Sequence, residues 1–283
     1  MKVIDQALLE KVIIERSHTS HKGDYGRLLL LGGTYPYGGA IIMTALAAVK
    51  SGAGLVIVGT DRENISALHS HLPEAMAFSL QDQQLLKEQL EKAEVVLLGP
   101  GLRDDAFGED LVKKVFAGLK QNQILIVDGG ALTILARTSL SFPSNQLILT
   151  PHKKEWEKLS GITIEKQKED ATASALTSFP QGIILVEKGP ATRIWEVGQS
   201  DYYQLQVGGP YQATGGMGDT LAGMIAGFAG QFKQASLYER VAVATHLHSA
   251  IAQELSQEHY VVLPTEISSY LSKIMKKISQ KGT

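Results

Sequence analysis

The residues best suited to chemistry form a glycine-rich segment that ends in an acid, Gly215-Gly216-Met217-Gly218-Asp219. An apolar stretch rich in small residues follows it, so the segment is predicted to open a helix. Glycines allow backbone N–H groups to converge on one point, and the helix dipole adds partial positive charge there. The pattern therefore predicts a site for an anion, either a phosphate or a negative charge that develops during a reaction.

Asp219 has two interpretations on local grounds. An acid in the first helical turn commonly does no more than complement the helix dipole. Alternatively, Asp219 is a general base that takes a proton from a hydroxyl during phosphoryl transfer, where positioning and charge stabilisation lower most of the barrier. We expect such a carboxylate to stay ionised and to be a weak base. Its assistance would supply roughly 10²–10⁴-fold in rate.

A lysine lies at the end of another apolar run, residues 183–186. Its segment reads Lys188-Gly189-Pro190-Ala191-Thr192. Such a segment could hold nucleotide phosphates through the lysine ammonium, the backbone N–H groups and the threonine hydroxyl. An ordinary strand-to-hairpin turn explains the same residues, and taken alone the segment favours that reading.

A histidine and a glutamate follow the run 147–149. Thr150 is predicted to cap a helix, with Pro151 in its first turn. His152 would then face the carboxyl edge of a sheet, with Glu155 one turn further on. The two side chains could orient a substrate or hold a hydrated Mg²⁺, and their spacing does not match a zinc motif.

Two further segments follow strand-like runs. Gly99-Pro100-Gly101 comes after residues 95–98, and Asp128 comes after residues 124–127. Asp128 reads as an acid without a compensating charge. In parallel sheets, ligands bind beyond the carboxyl ends of the strands, so both segments are predicted to lie near a ligand.

The elements that must position these residues alternate between strand-length apolar runs and helix-length segments. Such alternation predicts a mostly parallel sheet with helices on both faces. Two short runs that flank Gly198 predict an antiparallel hairpin at the sheet edge. No linker divides the chain, so residues 1–283 are predicted to form one domain. The predicted strands are 28–31, 55–58, 95–98, 124–127, 147–149, 183–186, 193–197 and 202–207. The predicted helices are 40–50, 83–92, 109–119, 220–229, 241–255 and about 265 to the C-terminus.

Composition narrows the class of protein. The chain of 283 residues is 44% hydrophobic and 20% charged, as expected of a soluble globular protein. It has no cysteine, which excludes disulfides, thiolate nucleophiles and cysteine-based zinc sites. A net charge of −2 argues against a nucleic-acid partner. Glycines and a proline interrupt the uncharged stretch 28–49, so it is not predicted to span a membrane. We therefore expect a cytoplasmic protein.

Taken together, the motifs resemble the bacterial ADP-dependent NAD(P)H-hydrate dehydratases of the ribokinase-like superfamily. The matching segments keep the family's order from about residue 21 to 230. They are His21-Lys22-Gly23-Asp24-Tyr25-Gly26-Arg27, Gly32-Gly33, Gly39-Ala40, Ser51-Gly52-Ala53-Gly54-Leu55, Gly99-Pro100-Gly101-Leu102, Thr150-Pro151-His152-x-x-Glu155, Lys188-Gly189-x-x-Thr192 and Thr214-Gly215-Gly216-Met217-Gly218-Asp219.

The resemblance implies a three-layer α/β/α fold and a repair reaction. NADH or NADPH that has taken up water at its nicotinamide ring (NADHX or NADPHX, as the S epimer) would be dehydrated, with ADP cleaved to AMP and phosphate. Asp219 would activate the ring hydroxyl for attack on the terminal phosphate. The implied dinucleotide contacts are Ala40, Gly101, His152, Asp219 and Asp128. The implied nucleotide contacts are Lys188, Gly189, Pro190, Ala191, Thr192, Gly215, Gly216, Met217 and Gly218.

The resemblance also implies Mg²⁺, ADP or ATP as co-substrate, a homotetramer and a functional link to the epimerase that interconverts the hydrate epimers. Glu155 would reach the metal through water. One departure is visible, because several relatives carry Asp-Ala-Asp-Ala-Leu where this chain has Asp128-Gly129-Gly130-Ala131-Leu132.

Two other functions use the same residues. A small-molecule kinase of the hydroxyethylthiazole or hydroxymethylpyrimidine type would also use Asp219 and the glycine-rich segment. A nucleotide-binding protein without turnover would keep the fold only. An oxidoreductase is disfavoured because the first glycine cluster lacks the G-x-G-x-x-G spacing.

Overall fold

A computed structural model describes residues 1–138, 140–143 and 145–280, and its framework is one β-sheet. Across these residues the sheet has nine strands in the order β3-β2-β1-β4-β5-β6-β7-β8-β9. The first seven strands in that order are parallel, and β8 and β9 add antiparallel pairs at one edge. The strands are β1 Arg27–Leu31, β2 Leu55–Thr60, β3 Met76–Ser79, β4 Val95–Leu98, β5 Ile124–Val127, β6 Gln146–Leu149, β7 Ile184–Glu187, β8 Arg193–Glu196 and β9 Tyr203–Gln204.

Helices cover both faces of the sheet, as predicted. On β1, Leu28 and Leu30 belong to one apolar cluster while Leu29 and Leu31 belong to the other, because successive side chains of a strand point to opposite faces. The first cluster includes residues of α1 Gln6–Val12, α2 Gly38–Lys50, α3 Arg62–His71, α9 Met217–Gly230, α10 Leu237–Leu255 and α11 Pro264–Ser279. The second includes residues of α4 Gln83–Lys92, α5 Ala106–Gly118, α6 Gly129–Arg137, α7 Lys153–Ser160 and α8 Glu169–Leu176. The three-layer α/β/α architecture is therefore confirmed.

Two of the elements that the sequence did not predict, β3 and α6, have weak local signals. Strand β3 is an edge strand whose Met76 is 46% exposed, and two of the four residues in its apolar run, 75–78, are alanines, which are uncommon in strands. Helix α6 begins with two glycines, which are poor helix formers. The helices α1, α3 and α8 were also missed.

Several predicted bounds were wrong. Strand β9 spans two residues rather than the predicted 202–207. The C-terminal helix ends at Ser279, and residues 281–283 of the predicted helix lie outside the described residues. In the described part of the chain, no helix combines the length and apolar character that crossing a bilayer requires.

Candidate active site

The glycine-rich segment opens helix α9, as predicted. Gly216 is the N-cap residue and adopts a left-handed conformation with φ of 95°, and Asp219 lies in the first turn. The left-handed backbone disfavours a side chain at Gly216, and a methyl group added there would lie 2.4 Å from the sulfur of Met43, whose flexible end would have to move. Among the described residues, no atom lies within 4 Å of a methyl group added at Gly215. The backbone at Gly215 is therefore open to a ligand.

Helix α2 is held against this turn. Thr44 of α2 donates through its hydroxyl to the backbone carbonyl of Asp219 at 3.1 Å. One turn later in α9, a methyl group added at Gly223 would lie 2.2 Å from the Thr44 carbonyl, so the two helix backbones lie very close together. This contact fixes the position of Ala40, at the start of α2, relative to Asp219.

Ala40 and Gly101 come together at the same edge of the sheet. The loops after β1 and β4 are joined by backbone bonds, from Gly33 N to Pro100 O at 2.8 Å and from Thr34 N to Gly101 O at 2.9 Å. A methyl group added at Gly101 would lie 2.9 Å from the Ala40 side chain. The two residues, which the family resemblance assigns to the dinucleotide, are therefore neighbours.

Asp128 and Lys188 form a largely buried ion pair across the ends of β5 and β7. The Lys188 ammonium donates to Asp128 Oδ1 at 2.9 Å. The Thr150 hydroxyl donates to the same oxygen at 2.6 Å. Asp128 is only 2% exposed. The expectation that Asp128 lacks a compensating charge was therefore wrong, because its partner lies 60 residues away along the chain.

The cap of α7 also differs from the prediction. His152, not Thr150, is the N-cap residue, and its Nδ1 accepts from the N–H groups of Lys154 and Glu155. The Glu155 carboxylate accepts in return from the His152 N–H at 2.8 Å, which completes a capping box. The Thr150 hydroxyl instead donates to Asp128. Since the helix begins after His152, Pro151 lies before the helix and not in its first turn.

Burial sets the electrostatics of these side chains. Burial raises the pKa of Asp219 to about 6; the Asp128 charge adds to the rise and Lys188 opposes it. Burial likewise raises the pKa of Glu155 to about 7. Burial disfavours the Lys188 ammonium, but the carboxylates of Asp128, Glu155 and Asp219 together hold its pKa above the ordinary lysine value. Three acids therefore share one buried cation.

Lys188 and Gly218 line one end of a cavity of about 560 Å³. A methyl group added at Gly218 would lie 3.2 Å from the Lys188 ammonium nitrogen, so the ammonium lies against the turn that carries Asp219. Four other predicted nucleotide contacts also line this cavity, namely Gly189, Pro190, Thr192 and Met217. Ala191 faces a neighbouring cavity of about 300 Å³ instead.

Two features near the cavity were missed at the sequence level. Glu187 is buried and accepts from Arg193 through both carboxylate oxygens, at 2.8 and 3.0 Å, and from the Trp195 indole at 3.2 Å. This cluster anchors both ends of the 188–192 loop. His248 of α10 lines the cavity, and burial lowers its pKa to about 4, so it is neutral at physiological pH. Glu187 directly precedes Lys188 in the sequence, and this position could have indicated the cluster. His248 lies within an apolar helix, and nothing in the sequence indicated that it lines a cavity.

The described side chains near the site offer few direct ligands for a metal ion. Within residues 1–138, 140–143 and 145–280, no group of three or more histidine or acidic side chains is arranged to hold a metal ion. Glu155, the predicted water-mediated partner, already uses one oxygen in the helix cap. These residues fit Mg²⁺ that arrives with nucleotide phosphates and keeps most of its waters, which is how Mg²⁺ commonly binds.

Comparison with known proteins places the site in context. The sequence profile of the NAD(P)H-hydrate dehydratase family matches residues 28–273. A relative from Streptococcus pneumoniae (strain ATCC BAA-255 / R6), named ADP-dependent (S)-NAD(P)H-hydrate dehydratase, is 90% identical over 281 residues, which are 99% of this chain and 97% of the relative.

Two solved structures are also similar. A ribokinase-like superfamily protein from Enterococcus faecalis V583 has a TM-score of 0.94 at 41% identity, covering 99% of this chain and 96% of that one. The ADP/ATP-dependent NAD(P)H-hydrate dehydratase from Bacillus subtilis, co-crystallized with ATP/Mg²⁺, has a TM-score of 0.83 at 27% identity, covering 97% of each chain. The ribokinase-like fold predicted from the motifs is therefore confirmed.

Proposed function

This chain belongs to the NAD(P)H-hydrate dehydratase family, and we propose that it dehydrates the S epimer of NADHX or NADPHX with ADP as co-substrate. The products are NADH or NADPH, AMP and phosphate. The observation that carries the proposal is the pairing of a partly buried acid, Asp219, with an anion-compatible helix N-terminus beside Lys188. The 90% identity to a relative of that name supports the choice of substrate.

The chemistry follows from that pairing. Asp219 accepts the proton of the ring hydroxyl, whose oxygen attacks the terminal phosphorus of ADP and releases AMP. The Lys188 ammonium and the N–H groups at the start of α9 stabilise the charge on the transferred phosphoryl group. The C–O bond then breaks with phosphate as leaving group, and a proton is lost from the adjacent carbon. The dinucleotide therefore loses the elements of water, which the cleavage of ADP to AMP and phosphate takes up.

The site divides between two ligands. We assign Ala40, Gly101, His152 and Asp219 to the hydrated dinucleotide. We assign the cavity that begins at Lys188 to the adenine nucleotide, together with the glycine-rich turn. The nucleotide residues are Lys188, Gly189, Pro190, Ala191, Thr192, Gly215, Gly216, Met217 and Gly218. Direct contact between Asp128 and the dinucleotide stays a prediction.

Magnesium is part of the proposal. Mg²⁺ would neutralise charge on the nucleotide phosphates, and Glu155 would reach it only through water, since its carboxylate also caps α7. The B. subtilis relative co-crystallized with ATP/Mg²⁺ supports this expectation.

The remaining expectations concern the whole protein. We propose one domain over residues 1–283, a cytoplasmic location and a functional link to the epimerase that supplies the S epimer. We also propose a homotetramer, which agrees with the exposure of large apolar side chains around the α10–α11 connection. Tyr260 there is 98% exposed, and Leu263 is 49% exposed.

The test is a turnover assay with the purified protein. NADHX, ADP and Mg²⁺ are mixed with the protein, and recovery of reduced-nicotinamide absorbance is followed together with AMP and phosphate. We expect one AMP and one phosphate for each NADH formed. A hydroxyethylthiazole or hydroxymethylpyrimidine acceptor with ATP serves as the comparison. A stable phosphorylated alcohol without NADH recovery would show that the protein is a kinase of the same fold.

A further inference from the structure

A short chain of buried polar contacts lies beneath the proposed reaction centre. The Thr150 hydroxyl and the Lys188 ammonium both donate to Oδ1 of Asp128, at 2.6 and 2.9 Å. Thr150 is 1% exposed, and the Lys188 side chain is 17% exposed. Since two donors share one oxygen, the orientation of the Asp128 carboxylate determines where the ammonium lies.

The position of that ammonium matters because it lies against the catalytic turn. Its nitrogen would be only 3.2 Å from a methyl group added at Gly218. A lysine side chain is long and has many rotamers, so a buried ion pair is needed to hold it in one of them. The ion pair with Asp128 therefore restricts the flexible Lys188 side chain to one position.

We propose that Asp128 is a positioning residue: Thr150 orients its carboxylate, and the carboxylate holds the Lys188 ammonium at the N-terminal turn of α9, where the nucleotide phosphate and Asp219 meet. The inference rests on the proposed function, because it assumes that Lys188 faces the transferred phosphate. In this role Asp128 acts through Lys188 and does not need to touch the dinucleotide.

The charge of Asp128 has a second effect at the same place. It raises the pKa of Asp219, while the Lys188 charge lowers it. His152 and Glu155 of α7 interact with Lys188. On α10, burial lowers the pKa of both His246 and His248, so these histidines are neutral at physiological pH. Asp128 and Lys188 are therefore the charges that adjust the proton affinity of the base.

Two substitutions separate charge from positioning. Asp128→Asn keeps an oxygen that can accept from Thr150 and Lys188 but removes the charge. We expect the acid limb of the kcat/KM profile, which reports Asp219 in the free enzyme, to move below its wild-type position near pH 6, while burial of Asp219 keeps it above the ordinary aspartate value. Thr150→Val keeps the shape but removes the donor. We expect the Kd for ADP, measured by calorimetry, to rise about tenfold and Thr150→Ser to restore it.

Ser51→Ala is the matched control, because Ser51 at the far end of α2 is also fully buried and donates its hydroxyl to the Ala47 carbonyl at 2.7 Å, away from the nucleotide cavity. It should change neither the acid limb nor the Kd for ADP. The proposal is overturned if Asp128→Asn leaves the acid limb in place and raises only the KM for NADHX. It is also overturned if Thr150→Ser loses as much ADP affinity as Thr150→Val. A wild-type protein without turnover would refute the proposed function instead, while the ADP calorimetry would still test the positioning role.

Discussion

Asp219 combines two properties that are hard to have together at one residue. Its carboxylate lies at the positive end of a helix, which favours the charged form, yet burial raises its pKa to about 6. The expectation of an ordinary weak base was therefore wrong in degree: Asp219 remains largely ionised at neutral pH but binds a proton more strongly than an exposed aspartate. That value is closer to what a general base needs near neutral pH.

Such a base costs stability, which gives a prediction for Asp219→Asn. The folded-state pKa is raised from 3.8 to about 6, so the stabilising protonated form is lost as pH rises through 6. The amide variant has no charge to desolvate. We expect it to be more stable than the wild type by roughly 1–3 kcal/mol at pH 8, with the difference shrinking as pH falls toward 3.8.

Urea unfolding of both proteins at a series of pH values, without ligands, measures this difference. A variant that is less stable than the wild type at pH 8 would mean that the charged carboxylate stabilises the fold, as a simple helix-dipole partner would.

At the scale of elements, the start of α9 depends on two adjacent glycines for different reasons. Gly216 supplies a left-handed backbone and leaves room for Met43, whereas Gly215 leaves the backbone open to solvent. The residue pattern predicted the loop and its helix, because glycines before an apolar run are a local signal. It could not distinguish the two roles, since the space around each glycine depends on α2 and α11.

The two glycines should therefore respond differently to alanine. Gly216→Ala is expected to lower the free energy of unfolding by about 1–3 kcal/mol, chiefly because alanine at φ of 95° is strained and also because the end of the Met43 side chain must move aside. Gly215→Ala is expected to change it by less than about 0.5 kcal/mol, as at most surface sites. Denaturant unfolding of the two variants checks the contrast, and equal losses would refute the account of the turn.

Elements with a strong local sequence pattern could be predicted, and their exact ends often could not. Strands β4 and β5 were predicted with correct bounds because parallel strands buried on both faces are continuous apolar runs. Helix α7 was predicted from Thr150 and Pro151, which are common cap residues, but the reciprocal bonds between His152 and Glu155 outcompete that arrangement. Local propensity gives the element, and tertiary contacts choose its first residue.

At the scale of the whole molecule, the site is assembled by contacts that no local pattern reveals. Lys188 and Asp128 meet because β5, β6 and β7 are consecutive in the sheet, so their carboxyl ends share one edge. The residue types at the strand ends predicted that ligands bind at this edge, but they did not predict that Lys188 and Asp128 form an ion pair. The choice of NADHX over other alcohols came from family resemblance, because the fold and the anion-binding turn would serve a kinase equally well.

The most direct test of the account is the rate of Asp219→Asn with NADHX and ADP. If Asp219 is the base that activates the ring hydroxyl, kcat should fall by roughly 10²–10⁴-fold, while the Kd for ADP stays within a few-fold of the wild-type value. If the variant keeps most of its rate, Asp219 only complements the helix dipole and the proposed mechanism is wrong.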